Sequence, residues 1–200
     1  MANHHKQSHT LMHHKFDVRH LGALPELASS RLLGLASEVI IGVFFPIFLY
    51  EFFGLSLQWT LFWFAASYLT RMPLLILGAK IFSRTGLVKS MFIGSAFWIG
   101  FYAIAYVLNV APEFHTWTFL GLLIASLSLH NAFYWAPFHV DFAKFTSKKR
   151  RGKQLGTLYA LQRLIGVAGP IVGGFLIATF SYGAAFAVGI GCILASLVPL

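Results

Sequence analysis

Six long apolar runs follow a polar N-terminal segment in this chain, and short polar connections separate them. About 20 consecutive apolar residues, at a rise of about 1.5 Å per residue, cross the hydrocarbon core of a bilayer. Each run is close to that length. The pattern predicts six membrane-spanning helices, at residues 32–53, 57–79, 90–109, 117–140, 154–180 and 182–200.

Polar residues inside the spans are few, and most lie on the first, fourth and fifth spans. Such a residue is unfavourable in hydrocarbon, so it should face the bundle or a wet cavity. In span four, His130, Tyr134, Pro137 and Asp141 form one helical stripe at i, i+4, i+7 and i+11. The candidates for a polar site in the membrane are Glu38, His130, Asn131, Tyr134, Gln162 and Arg163.

Glu38 and Arg163 are charges inside apolar runs. They lie about 10 Å and about 15 Å from the cytoplasmic ends of their spans. Because these depths are similar, we expect the two side chains to form an ion pair. Such a pair could hold the helices together, or Glu38 could carry a proton or contact cargo, and both roles stay open. Arg71 is expected to reach the cytoplasmic boundary through its flexible side chain.

Glycines predict where helices approach each other closely. Gly183, Ala187 and Gly191 repeat every four residues on span six, which indicates a close-packing face. On span five, Gly173 belongs to a glycine face that we expect to pack against a neighbouring half of the protein.

Composition agrees with a membrane location. Hydrophobic residues make up 58% of the chain and charged residues 10%, against roughly 45–50% and about 25% in soluble domains. The chain is therefore predicted to be an all-α integral membrane protein. The net charge of +9 could suggest a nucleic-acid partner, but the cations lie mainly in the connections. Anionic lipid headgroups are the expected partner, and nucleic acid is not.

The basic residues also predict orientation. Of the 15 Lys and Arg residues, all but Arg163 lie in or near the tail, the second–third connection and the fourth–fifth connection. The three opposite connections have none. Lys and Arg are retained on the cytoplasmic side, so the N-terminus is predicted to be cytoplasmic. We expect a multi-pass protein of the plasma (inner) membrane.

Residues 1–30 are predicted to form a cytoplasmic, His-rich polar tail, without the apolar core of a signal peptide. On a helix, His5, His9 and His13 would share one face that could hold a metal ion. A disordered tail without metal is the preferred interpretation. No cofactor is expected, and the single cysteine, Cys192, excludes an intrachain disulfide.

Two motifs resemble those of major facilitator superfamily (MFS) transporters. In span five the family pattern is Gly-x8-Gly-x3-Gly-Pro-x2-Gly-Gly, and here Ile165 replaces the second glycine. In the second–third connection the pattern is roughly Gly-x3-Asp-Arg-x-Gly-Arg, and here Ser83 replaces the Asp and Leu87 the second Arg. The residues associated with these motifs are Gly156, Gly169, Pro170, Gly173 and Gly174 in span five, and Arg84, Gly86 and Lys89 in the connection.

The resemblance covers residues 31–200 and implies the N-terminal six-helix half of an MFS-like secondary transporter. That half consists of two inverted three-helix repeats, and a C-terminal six-helix half is expected to complete it. The implied function is transport of a small molecule or ion by alternating access. The implied cavity is lined by spans one, two, four and five. Because the sequence stops at the end of span six, we expect it to be a fragment.

Other classes of membrane protein fit less well. A non-transporting six-helix module that assembles with a partner remains an alternative. A membrane enzyme is less favoured, since the sequence lacks both Gly-x-Ser-Gly and His-Glu-x-x-His. A channel is also less favoured, because there is no repeated arginine sensor and no Asn-Pro-Ala pair. We therefore expect no enzymatic activity. The substrate, the coupling ion and the direction of transport stay open.

Overall fold

A computed structural model describes residues 19–51, 53–111, 113, 117–145 and 151–200. These residues are almost entirely helical, and no strand occurs among them. The helices are α1 Arg19–Gly42, α2 Phe45–Glu51, α3 Leu57–Thr85, α4 Leu87–Val110, α5 Trp117–Phe145, α6 Arg151–Thr179 and α7 Tyr182–Leu197. The predicted all-α class is confirmed. The histidines His5, His9 and His13 lie outside the described residues.

Five stretches of the described chain are long and apolar enough to cross a membrane. They are Pro25–Glu51, Leu57–Thr85, Leu87–Val110, Trp117–Lys144 and Gly152–Thr179. The sixth predicted span corresponds to α7, a shorter apolar helix of 16 residues. At about 1.5 Å per residue, α7 is about 24 Å long. Five full-length candidate spans and one shorter apolar helix thus stand where six spans were predicted.

The first span is interrupted by a turn at Val43 and Phe44, between α1 and α2. Pro46 lacks an N–H group, so it cannot donate the next helical hydrogen bond, to the carbonyl oxygen of Gly42. Instead the Phe44 N–H donates to the Ile41 carbonyl oxygen at 2.8 Å. Helix α1 begins at Arg19, ahead of the predicted boundary at residue 31.

The connection between the second and third spans is much shorter than the sequence suggests. Helix α3 continues to Thr85, and α4 begins at Leu87. Gly86 alone separates them, with φ of 92°, a conformation that favours glycine. The Gly86 N–H donates to the Phe82 carbonyl oxygen at 3.0 Å, which ends α3. Polar residues before Gly86 extend the helix because nothing among them breaks it.

The spans pack in two equivalent sets. Helix α1 packs mainly on α6 and α7, while α5 packs mainly on α3 and α4. Helices α4 and α7 pack on each other and join the sets. The main contacts therefore stay the same when each helix is exchanged with its equivalent, which means α1 with α5, α3 with α6 and α4 with α7. We call α1 to α4 the first unit and α5 to α7 the second unit. With one membrane crossing for each of α1–α2, α3 and α4, equivalent helices of the two units are expected to run in opposite directions.

Two glycines of α6 allow close contact with α1. A Cβ atom at Gly169 would collide with the Val39 side chain, and one at Gly173 with the Ile40 carbonyl oxygen. The expectation that Gly173 on this face meets a neighbouring half is therefore wrong. The face packs inside its own bundle, against the first helix.

The predicted packing face of α7 is also wrong. Gly183 is buried beside the Asn109 side chain, but Ala187 and Gly191 are exposed. The glycine that packs is Gly189, where a Cβ atom would lie 3.1 Å from the Ile41 side chain. A strict repeat of four residues drifts around a helix of 3.6 residues per turn, so Gly191 leaves the face on which Gly183 lies.

Aromatic side chains fill the core at the end of α1 and in α2. Phe48 has no exposed surface, and its ring lies 5.1 Å from that of Phe186 on α7. Phe45 lies 5.3 Å from Trp63 on α3 and 5.0 Å from Phe101 on α4. Since these rings come from both units, the core joins the units on the side away from the N-terminus of α1.

Candidate functional site

A bidentate ion pair lies inside α1. The Arg31 guanidinium donates from Nη1 to Oε1 of Glu38 at 3.1 Å, and from Nη2 to Oε2 at 3.2 Å. The exposed fraction is 4% for the Arg31 side chain and 24% for that of Glu38. The residues are seven positions apart, which is about two turns, so they share one helix face. A charge that is removed from water requires such a partner.

The predicted pair of Glu38 and Arg163 is wrong. Both carboxylate oxygens of Glu38 are bound by Arg31, and Arg163 lies on an exposed part of α6. Depth alone suggested the pairing, but depth does not determine the direction in which a side chain points. The useful signal was the spacing of Arg31 and Glu38, which places the two charges on one face of the same helix.

The second unit contributes aromatic groups to this pair. The Arg31 guanidinium carbon lies 4.3 Å from the centre of the Trp135 ring on α5, within the range of a cation–π contact. Tyr134, also on α5, is buried and lines the same small cavity as Arg31 and Glu38. These contacts connect the first helix of one unit to the first helix of the other.

His130 is the third polar group of α5 at this place. Its Nδ1 lies 2.9 Å from the carbonyl oxygen of Gly94 on α4. A carbonyl oxygen can only accept, so Nδ1 carries the hydrogen. In a neutral ring Nε2 is then an acceptor, and it is buried with no hydrogen-bond partner among the described residues. The imidazole stacks on Tyr134, with ring centres 5.3 Å apart.

A cavity of about 10 Å³ lies among these groups. Its lining residues are Arg31, Gly34, Glu38, Ser95, Trp98, His130, Tyr134, Ile193 and Ser196. This volume is about that of one water molecule. We call Arg31, Glu38, His130 and Tyr134 the α1–α5 polar cluster. The cavity can hold about one water molecule and is too small for a cargo molecule.

Gln162 and Arg163 lie at a separate place. Together with Tyr159 of α6 they line a groove of about 500 Å³, whose other wall is formed by Leu35 and Val39 of α1. We call it the α1–α6 groove; Gly166 completes its lining. The structure thus divides five of the six predicted polar residues between two sites on different faces of α1.

Asn131 belongs to neither site. Its Nδ2 donates to the Leu127 carbonyl oxygen of its own helix at 2.7 Å, and the residue is 6% exposed. This contact satisfies the amide locally. The position of Asn131 next to His130 in the sequence therefore did not indicate a shared site, because adjacent residues on a helix point about 100° apart.

The motif residues occupy helix ends and helix contacts. Arg84 and Lys89 are exposed on either side of Gly86. In α6, a Cβ atom at Gly174 would lie 3.2 Å from the Phe44 ring, whereas one at Gly156 would meet nothing within 4 Å. The helix continues through Pro170. The glycine motif therefore serves the contact between α6 and α1 at Gly169, Gly173 and Gly174.

Five helical stretches of the described chain that are long and apolar enough to cross a bilayer, with an ion pair enclosed among them, define a multi-pass integral membrane protein. The sequence profile of the Major Facilitator Superfamily matches residues 27–200, so the chain belongs to this family of membrane transporters. The resemblance predicted from the two motifs is thereby confirmed. No curated protein and no solved structure matches the chain significantly.

Proposed function

We propose that this chain forms one six-helix half of a secondary transporter, which moves a small solute by alternating access. The observation that carries this proposal is the equivalent packing of the two units, in which α1 and α5 hold corresponding positions; with one membrane crossing per span, these units would be inverted repeats. Transporters of this kind place their sites near the membrane midplane, at the interface of such repeats. A second six-helix half would complete the protein. In the half that this chain forms, α7 would be the sixth span.

Two grooves at opposite ends of the helices support alternating access. One, of about 640 Å³, lies between α1, α5 and α6 and is lined by Lys153 and Leu161. The other, of about 150 Å³, lies between the starts of α3 and α5 and is lined by Phe62 and Gly121. The positive-inside rule places the first groove on the cytoplasmic side. Opening of one groove with closure of the other would expose a central site to each side in turn.

The α1–α5 polar cluster would couple the two units. While Glu38 is ionised, its bond to Arg31 keeps the guanidinium against Trp135 of α5. Loss of the negative charge of Glu38 would remove the ionic attraction in this pair and weaken the hold of α1 on α5. His130 lies beside the same water-sized cavity, with Nε2 available to exchange a proton through a water. The cluster is therefore proposed to control movement, and cargo would bind elsewhere.

Coupling between the grooves tests this function without knowledge of the cargo. In the full-length protein with Cys192 replaced by Ser, Leu161→Cys places a thiol in the cytoplasmic groove. Gly121→Trp would fill the opposite groove and keep that side closed. We expect the alkylation rate of the thiol at position 161 to rise several-fold when Gly121→Trp is added. The matched control is Gly100→Trp, at a glycine of α4 with nothing within 4 Å, and it should leave the rate unchanged.

A non-transporting module that assembles with a partner is the second candidate. Its support is the large apolar surface of α3 and α6, where Leu69 and Val167 are 67% and 70% exposed. Such a surface would suit a partner protein as well as lipid or a second half. In that case the two grooves would be independent, and the alkylation rate at position 161 would not respond to Gly121→Trp.

A further inference from the structure

Arg163 is a cation in the middle of α6, distant from either end of the helix. Within the described ranges the only ion pair is that of Arg31 and Glu38, so Arg163 has no carboxylate partner there. The other described carboxylates lie at or near helix ends or in a connection; they are Glu26, Glu51, Glu113 and Asp141. Any carboxylate partner of Arg163 would therefore lie outside the described residues.

An unpaired guanidinium at mid-membrane depth is unfavourable against lipid, so Arg163 should face a wet cavity. The α1–α6 groove supplies one. Its volume of about 500 Å³ is within the range of small-molecule sites. Polar groups of Tyr159 and Gln162 lie on the same wall as Arg163, and Leu35 and Val39 provide an apolar wall opposite.

This arrangement has the chemistry of a site for an anion with an apolar body. The planar guanidinium offers paired N–H donors that match a carboxylate or phosphate, and a neighbouring amide can donate as well. The α1–α5 polar cluster cannot take this role. Its cavity is water-sized, and its carboxylate already neutralises Arg31.

A second arginine, Arg71, lies at the equivalent place in the other unit; it is in the middle of α3 and not near the cytoplasmic boundary where the sequence suggested it. Gly78 of α3 approaches Ala132 of α5, as Gly169 of α6 approaches Val39 of α1. The two contacts become equivalent when residue numbers in the first unit are shifted by about 92 positions, because Gly78 then corresponds to Gly169 and Val39 to Ala132. The same shift relates Arg71 to Arg163. Arg71 also has an unsatisfied donor, because its Nε is buried with no hydrogen-bond partner among the described residues.

We propose that the cargo is an organic anion, bound through its carboxylate or phosphate by Arg163 and Gln162. Its apolar part lies against Leu35 and Val39, and Arg71 provides a second cation from the other unit. This proposal rests on the transport function proposed above and names the class of its substrate. The rival explanation for Arg163 is an ion pair with a carboxylate of the companion half.

Matched pairs of charged and neutral probes test the proposal. The full-length protein, in nanodiscs of a zwitterionic lipid, is titrated with inorganic phosphate, lactate, glutarate and benzoate while its melting temperature is recorded. Lactamide, glutaramide and benzamide are the neutral counterparts. Nanodiscs without anionic lipid exclude a headgroup as the source of the effect. We expect saturable stabilisation by at least one of these anions; where it is a carboxylate, its amide should give none, and inorganic phosphate serves as the charged probe without an apolar body.

Variants then locate the binding site. Arg163→Gln should weaken binding of that anion at least tenfold, because it leaves the bound charge without its partner. Arg163→Lys should give an intermediate loss, since it keeps the charge but removes the planar fork. The matched control is Lys80→Gln, which removes an exposed cation from α3 and should leave the affinity unchanged.

Three results would overturn the proposal. One is an absence of stabilisation by every anion tested, and another is equal stabilisation by the amides. The third is anion binding that Arg163→Gln does not weaken. Loss of stability in Arg163→Gln without any ligand effect would support the rival ion pair. The groove-coupling experiment tests the transport function separately. Its failure would reject transport, whether or not any of the anions binds.

Discussion

Arg31 and Arg163 are both arginines inside apolar helices, but their surroundings are opposite. Arg31 is enclosed, with Glu38 across its donors and the Trp135 ring against its face. Arg163 borders an open groove and has no carboxylate partner among the described residues. The charge of Arg31 is neutralised within the protein, whereas the charge of Arg163 is available to a ligand. We therefore expect mutation of these two arginines to have different effects on stability.

A double-mutant cycle tests the pair of Arg31 and Glu38. Arg31→Gln should lower the free energy of unfolding by about 3 kcal/mol, because it leaves a carboxylate enclosed without its partner. Glu38→Gln should act in the same direction, and the double mutant should recover much of the loss. Thermal melting in detergent measures all three. Arg163→Gln is the matched control and should change stability little. Additive losses at Arg31 and Glu38 would show that the pair is not coupled.

Gly94 allows the backbone of α5 to approach α4. A Cβ atom there would lie 2.8 Å from the Tyr134 backbone nitrogen, so Gly94→Ala should destabilise the protein by about 1–3 kcal/mol through overpacking. Gly100→Ala, on the same helix, meets nothing within 4 Å. It should leave stability unchanged or raise it by about 0.5–1 kcal/mol. Comparable melting temperatures for the two variants would contradict the close approach.

At the scale of helices, the sequence was informative about centres and less so about ends. Apolar runs of the right length were enough to locate the five full-length candidate spans of the described chain and the shorter helix α7. The run of polar residues before Gly86 was assigned to a connection, but it is helical because polarity alone does not stop a helix. The break between α1 and α2 before Pro46 is the opposite case, because it lies within an apolar run and hydropathy does not reveal it. Hydropathy records burial, whereas helix ends depend on backbone hydrogen bonds.

The candidate site was predictable only in part. Its residue types and helices came from polar positions in apolar runs, and His130, Tyr134 and Glu38 do line one cavity. The partner of Glu38 was missed because two residues at equal depth can face opposite sides of a bundle. The separation of Gln162 and Arg163 from that cavity depends on helix rotation, which a single sequence does not determine.

The contact between α6 and α1 gives a prediction for a whole element. Gly173→Ala would bring a Cβ atom onto the Ile40 carbonyl oxygen, so α6 would have to move away from α1. We expect a loss of about 1–3 kcal/mol, together with stronger alkylation of a thiol introduced at Val39. Gly156→Ala, where nothing lies within 4 Å, should cause neither change. If Gly173→Ala behaves like Gly156→Ala, α6 does not pack on α1 at this place.

For the whole molecule, the arrangement of helices leads to a test of orientation. The starts of α1 and α6 are expected on the cytoplasmic side, together with the turn at Gly86. With Cys192 replaced by Ser, single cysteines are introduced at Glu113 and at Ser83, both in exposed positions. An impermeant thiol reagent applied to intact cells should label the thiol at position 113 and spare the one at 83. The opposite result would reverse the orientation and the assignment of both grooves.

The local nature of the Arg31–Glu38 pair has a consequence for biogenesis. Its two members lie seven residues apart on one helix, so they leave the ribosome almost together. The first helix can enter the bilayer with its charges already neutralised, before any later helix has been made. A partner on α6 would have left Glu38 exposed to lipid until most of the chain had been synthesised. The pair therefore lets the first span insert early and independently, and the later helices assemble around a segment already in place.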